Sequence, residues 1–242
     1  MEKVIVITGA TSGFGLAMAK KFGGSGVKLV LVARSQDKLD VAVSEIKAIG
    51  GDAVAVCGDV TKSETFEQVM LTAMEKFGRI DVLINNAGGG VKIAPIEDMD
   101  DETIQACLDL NLSSVIKACR TIVPQMKQQG GGLIINLTSA CAKFAWPEWS
   151  VYSAAKTGLS MLSRCLHAEL RPFGIGVSVI VPGGSNTGFQ QNSGIGAFEW
   201  NEEMALRPEH IAEAAYSIVN MPQGGFVPEM VVYGMEQEVI PF

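Results

Sequence analysis

Val4-Ile5-Val6-Ile7-Thr8-Gly9-Ala10-Thr11-Ser12-Gly13-Phe14-Gly15 runs straight into Leu16-Ala17-Met18-Ala19-Lys20-Lys21-Phe22. The β-branched run reads as a buried strand, the glycines as a tight turn, and the spacing beyond Gly15 as a helix. A strand, a glycine turn and a helix start in that order make a cradle for a dinucleotide pyrophosphate. The glycines let backbone approach the phosphates, and the helix N-terminus aims N–H groups at their charge. Gly9, Thr11, Ser12, Gly13, Phe14 and Gly15 are therefore candidate cofactor contacts. The spacing is G-x-x-x-G-x-G, not G-x-G-x-x-G, and it lacks the lysine of a P-loop. Taken alone, the turn also has a purely structural reading.

Outward from this unit, further β-branched runs recur at 29–32, 53–57, 82–84, 133–137, 177–181 and 230–232, separated by helical patterns. With residues 4–7 these predict about seven strands, apolar throughout and hence covered on both faces. That is a doubly wound parallel α/β sheet of Rossmann type. No linker, repeat or low-complexity stretch divides the chain, so residues 1–242 read as one dinucleotide-binding and catalytic domain. The helix expected over 151–172 is apolar on more than one face. Either it is fully buried within the chain, or its second face meets another subunit in a homodimer or homotetramer.

Composition narrows the function. A net charge of −7, with 19 Lys plus Arg against 26 Asp plus Glu, and no basic block argue against nucleic acid or an anionic membrane as the main partner. No apolar stretch reaches the roughly 18 residues of a membrane helix. The N-terminus enters a strand within a few residues, which is not a signal-peptide pattern, so a cytoplasmic location is expected. Five scattered cysteines without CxxC spacing read as reduced core thiols. Two histidines, His167 and His210, read as lone helix-face residues, and no metal is expected.

Two features add chemistry. At the end of the second strand, where a carboxylate would bind a ribose 2′-hydroxyl, the chain has Ala33-Arg34-Ser35. Arg34 can pair with a 2′-phosphate and Ser35 can add a hydrogen bond, which favours NADP(H); a solvated surface arginine is the plainer reading. Further on, Tyr152 and Lys156 stand four apart on one helical face, after Ser139 at a strand end. An ammonium about 4 Å from a phenol is worth roughly 4 kcal/mol at an effective dielectric of about 20. That is enough to lower the phenol pKa by up to about three units, into the range of a general acid or base.

Thr8-Gly9-x-x-x-Gly13-x-Gly15, Asp59-Val60, Asn85-Asn86-Ala87-Gly88, Asn111, Ser139, Tyr152-x-x-x-Lys156 and Pro182-Gly183-x-x-x-Thr187 follow in one order over almost the whole chain. In that combination the sequence resembles the short-chain dehydrogenase/reductase family. The resemblance implies hydride transfer between a nicotinamide and a ketone, an aldehyde or a secondary alcohol. Tyr152 would be the acid or base, Ser139 the hydrogen-bond donor to the substrate oxygen, and Lys156 the ligand of the nicotinamide ribose. Asn111 would hold a water linking Lys156 to solvent. Asp59 and Val60 would contact adenine; Asn86, Ala87 and Gly88 would floor the adenosine ribose; Pro182, Gly183 and Thr187 would meet the nicotinamide. As plainer readings, Asn85 and Asn86 cap a turn, and Asp59-Val60 end a strand before an N-cap Thr61.

The resemblance also places the substrate on three stretches, after Ser139, after Gly88 and after Gly183. Ser139, Cys141, Trp146, Trp149 and Phe189, with Phe144 and Phe198, predict an apolar aromatic pocket for a ring or alkyl ketone. Glycines 184, 188, 194 and 196 mark residues 184–207 as a lid. Lys92, Lys143 and Arg207 would meet an acidic substrate if they are not simply solvated. The Gly13-Phe14-Gly15 variant and the helix start at 207–214 resemble bacterial reductases of 3-hydroxy acids and small carbonyls. Hydroxysteroid dehydrogenase, 3-oxoacyl carrier-protein reductase and a non-catalytic NADP sensor remain the alternatives.

Overall fold

A computed structural model describes residues 2–185, 187–195, 204–235 and 237. Strand β1 (Val4–Thr8) leads through the glycine turn to α1 (Gly13–Gly23) and β2 (Lys28–Ala33), then α2 (Gln36–Ala48), β3 (Asp52–Cys57), α3 (Ser63–Phe77) and β4 (Val82–Asn85). Next come α4 (Asp101–Leu108), a wide π-helical turn (Asp109–Ser113), α5 (Ser114–Gln128), β5 (Gly132–Leu137) and α6 (Ser150–Leu170). The chain continues through β6 (Ile175–Pro182), the short α7 (Phe189–Ser193), α8 (Pro208–Val219) and β7 (Glu229–Val232). All six strand pairings are parallel, in the order β3-β2-β1-β4-β5-β6-β7. Every expected strand is present, lengthened by a residue or two at its ends.

Alternation along the strands builds two cores. Ile5, Ile7, Leu29 and Leu31 face Met18, Phe22, Leu39, Ile46 and Ile211 of α1, α2 and α8. Val4, Val6, Val30 and Val32 face Phe66, Val69, Val115, Ile122 and Leu159 of α3, α5 and α6. Burying each such side chain contributes about 1.5–3 kcal/mol. The strand order reverses between β1 and β4, so the loops leaving their C-terminal ends diverge and open a crevice there.

A buried polar ladder locks α6 to the sheet. Asn85 Nδ2 donates to Asn136 Oδ1 at 2.8 Å, and Asn136 Nδ2 donates to Ser163 Oγ at 2.8 Å. Asn85 therefore ties two strands together rather than capping a turn. The outer face of α6 is open in the single chain: Met161 is 55% exposed and Cys165 is also exposed. This overturns the fully buried alternative for that helix. Cys57 is exposed as well, so only Cys107, Cys119 and Cys141 are core thiols. Among the described residues no helix is long and apolar enough to cross a membrane.

Candidate active site

The glycine turn is held by the loop after β4. Asn86 Nδ2 donates to Thr8 O at 2.8 Å and Gly9 O at 3.2 Å, while Thr8 Oγ1 accepts the N–H groups of Asn86 and Ala87, both at 3.0 Å. Gly9 has φ +66° and Gly13 φ +50°, the left-handed region where a side chain is strained. A Cβ on Gly15 would run into Gly9 O and lie 2.6 Å from Asn86 Nδ2, so the third glycine is required by close packing. Ser12 makes no capping bond and the first turn of α1 has no acidic residue, which leaves the helix terminus electropositive. Thr187 Cγ2 lies 3.6 Å from the position of a Gly13 Cβ, so the stretch after β6 returns to the turn. A backbone cradle closed to a Cβ at Gly9 and Gly15, at an electropositive helix terminus, fits a dinucleotide pyrophosphate.

At the ends of β2 and β3, Arg34 is exposed and its charge helps to hold the Asp59 carboxyl below its usual range, where backbone and side-chain bonds from Thr61 act more strongly against burial. Asp59 Oδ1 accepts the Thr61 N–H at 2.9 Å, and Lys62, not Thr61, occupies the N-cap position of α3. Thr61 therefore braces the turn instead of capping the helix. Val60 is buried in the core beneath it. Ser35 caps α2 through a long 3.5 Å bond from Lys38 N–H.

The chemical residues meet at the C-terminal end of β5. Tyr152 and Lys156 are 6% and 4% exposed on the inner face of α6. Lys156 Nζ donates to Leu137 O at 3.0 Å and stands 5.8 Å from the Tyr152 ring centre. Burial pushes the Tyr152 phenol well above its usual range; a hydrogen bond from Ser139 opposes that only in part. Burial likewise lowers Lys156 to about 8. The direction is opposite to the one expected from the sequence, because desolvation of the buried phenol is the largest influence on it. Ser139 Oγ accepts Cys141 N–H at 3.3 Å, which fixes the hydroxyl at the strand end.

Asn111 lies fully buried in the π-helical turn. Its amide grips Gly89 in both directions, accepting from N at 3.0 Å and donating to O at 2.8 Å, and it also donates to Cys107 O at 2.9 Å. A Cβ on Gly88 would lie 2.9 Å from Asn111 Oδ1 and 3.0 Å from Lys156 Nζ, so the β4 loop presses against both. Pro182 ends β6, and Gly183 packs against Tyr233 and Gln237.

The substrate side is aromatic. Trp149 and Phe189 stack at 5.8 Å and 11°, and Tyr152 crosses both, 5.9 Å from Trp149 and 5.3 Å from Phe189. Trp146, Phe144 and Tyr233 continue the row outward, and Trp146 is 38% exposed. Phe198, Gly196 and the 196–203 part of the expected lid lie outside the described residues. The cations proposed for an acidic substrate are engaged elsewhere. Lys143 pairs with Glu229 at 2.6 Å, Lys92 Nζ donates to Asp98 O at 2.6 Å, and Arg207 associates with His210 at 3.3 Å.

Sequence reasoning missed two contributors. Ile93 and Cys107 join Cys141 and Tyr152 in one buried cluster. Cys107 had a faint signal, four residues before Asn111 on the same helical face, whereas Ile93 had none. Gly90 lies in the stretch after Gly88 that the resemblance gives to the substrate: a Cβ there would strike Ser193 and lie 3.1 Å from Phe189 Cζ.

Residues 3–196 match the family pattern described as short chain dehydrogenase. The chain is 37% identical to 3beta-hydroxysteroid dehydrogenase 1 of Eggerthella lenta over 188 residues, 76% of this chain and 71% of that one. The alcohol dehydrogenase of the archaeon Thermococcus sibiricus, complexed with 5-hydroxy-NADP, aligns with a TM-score of 0.89 at 28% identity over 99% of this chain and 100% of that one. The 3-ketoacyl-(acyl-carrier-protein) reductase of Brucella melitensis, complexed with NADH, aligns at 0.87 and 30% identity over 96% and 97%. With the seven-stranded order and the crevice between β1 and β4, these likenesses make the chain a member of the short-chain dehydrogenase/reductase family of oxidoreductases.

Proposed function

We propose that this protein is an NADP(H)-dependent oxidoreductase that interconverts a ketone or aldehyde and the corresponding alcohol. The observation that carries the reading is the burial of Tyr152 beside Lys156, with Ser139 hydrogen-bonded to the phenol. The β1–β4 crevice would hold a reduced nicotinamide cofactor, which when bound would supply the hydride for the carbonyl carbon. Tyr152 donates its phenolic proton to the carbonyl oxygen, and Ser139 donates a hydrogen bond to that oxygen as charge develops on it. Lys156, still protonated at neutral pH, stabilises the phenolate left behind until solvent returns the proton.

Arg34 supports NADP(H) over NAD(H), because it is exposed at the end of β2 with no carboxylate beside it at 33 or 35. Gly9, Thr11–Gly15, Arg34, Ser35, Asp59, Val60, Asn86–Gly88, Pro182, Gly183 and Thr187 form the proposed cofactor site, and residues 184–207 the substrate lid. The open face of α6 supports a homo-oligomer. The test follows NADPH and NADH consumption with cyclic ketones, steroid ketones, 3-oxo esters and short acidic aldehydes. Turnover with NADPH that Tyr152→Phe removes is expected; turnover that survives Tyr152→Phe, or NADPH binding without turnover across the panel, overturns the reading.

A further inference from the structure

Trp149, Phe189 and Tyr152 form a slot of defined shape. Trp149 and Phe189 are nearly parallel, 11° apart, and Tyr152 stands across them at 64° and 57°. Apolar Ile93, Cys107 and Cys141 pack around the phenol. The Phe189 ring thus lies face-on to the indole and beside the acid that the reaction uses.

The loop opposite is shaped to receive that ring. Gly90 leaves room for Phe189 and Ser193, and Ile93 N–H donates to Ser193 O at 3.0 Å, which ties the loop to α7. The next residue, Val91, is held at φ +58° in a three-residue turn closed by Lys92 N–H to Gly90 O at 2.6 Å. A β-branched residue rarely adopts this conformation, and strain of this kind collects where structure fixes a functional surface.

We propose that Trp149 is a stacking platform for a flat ring joined directly to the substrate carbonyl, and that Phe189 holds that ring's seat in this structure. The proposal rests on the oxidoreductase reading above and names its substrate class: aryl ketones and aryl aldehydes. A ring lying where Phe189 lies meets Trp149 face to face and directs an attached C=O toward the Tyr152 hydroxyl. A saturated ring of equal size is puckered and forgoes the stacking contact, worth about 0.5–1.5 kcal/mol beyond buried area. Among the described residues, the three cations nearest the substrate stretches, Lys92, Lys143 and Arg207, are engaged elsewhere and do not single out an acidic tail.

The test compares acetophenone with cyclohexyl methyl ketone, by kcat/KM with NADPH and by calorimetric binding to the NADPH-loaded protein. The native chain should prefer acetophenone about twofold to twelvefold by both measures. Trp149→Leu should bring the ratio close to one, and Trp149→Phe, which keeps an aromatic face and guards against a folding artefact, should retain most of it. Phe189→Leu should lower KM for acetophenone, since the competitor for the seat is gone. Equal use of the two ketones, or a preference that survives Trp149→Leu, overturns the proposal. If neither ketone turns over, binding decides: a preference for acetophenone lost in Trp149→Leu upholds the platform, with the reductase reading then standing or falling on the wider carbonyl panel, and no binding of either ketone overturns the platform.

Discussion

The two sides of the crevice are held by different forces. On the nucleotide side, Thr8, Gly9 and Asn86 are cross-tied by main-chain, hydroxyl and amide hydrogen bonds of 2.8–3.2 Å, and Gly9 and Gly15 leave no space for a Cβ. On the substrate side, Trp149, Phe189 and Tyr152 meet ring against ring, and one main-chain bond from Ile93 to Ser193 fastens the loop to α7. Hydrogen-bonded backbone recognises a fixed anion with little tolerance. Stacked side chains recognise shape, and they can be exchanged one at a time.

Substitutions can break that contrast. Tyr152→Phe, which sits at the junction of the two sides, should lower kcat about a thousandfold while NADPH still binds, as measured by steady-state rates and fluorescence titration. Gly15→Ala places a methyl group against Gly9 O, and at about 3 kcal/mol should weaken nucleotide binding about a hundredfold. Arg34→Ala should weaken NADPH about fiftyfold and leave NADH nearly unchanged, through loss of a charge-assisted bond worth about 1.5–3 kcal/mol. Equal weakening of both cofactors would remove the 2′-phosphate assignment.

The smallest effect is on stability and has the opposite sign. Lowering Lys156 from its usual 10.5 to about 8 corresponds to a cost of about 3 kcal/mol at neutral pH. Its bond to Leu137 O returns about 1 kcal/mol. Lys156→Met should therefore raise stability by about 2 kcal/mol at pH 7, read by denaturant titration, while it removes activity. Between pH 8 and 10.5 the unfolded native chain binds a proton that the folded chain does not, so its stability rises with pH and the advantage of the variant fades. Native carbonyl reduction should decline as pH rises through about 8, when Lys156 loses its charge.

Much of this was legible in the sequence because it depends on spacing. Seven β-branched runs announced the sheet, and Gly9, Gly13 and Gly15 announced the turn, the first two because few other residues allow that backbone and the third because no side chain fits against Gly9 O. The pairing of Tyr152 with Lys156 follows from a four-residue step on a helix. Its electrostatics did not follow, because whether a phenol is tuned by an ammonium or by burial depends on packing from α4, the β4 loop and α7, which are distant in sequence. Ile93 was hidden for the same reason, and the tie from Asn85 to Asn136 could not be read because the two are fifty-one residues apart.

The Asn85–Asn136–Ser163 ladder has a consequence for redesign. It anchors α6 from beneath, through hydrogen bonds made by Asn85, Asn136 and Ser163 alone. Rewriting residues 144–149 or α7 leaves that anchor in place, although it removes ring contacts from Tyr152. A loop graft can therefore change which carbonyl this chassis accepts while the helix that carries the proton donor keeps its footing on the sheet.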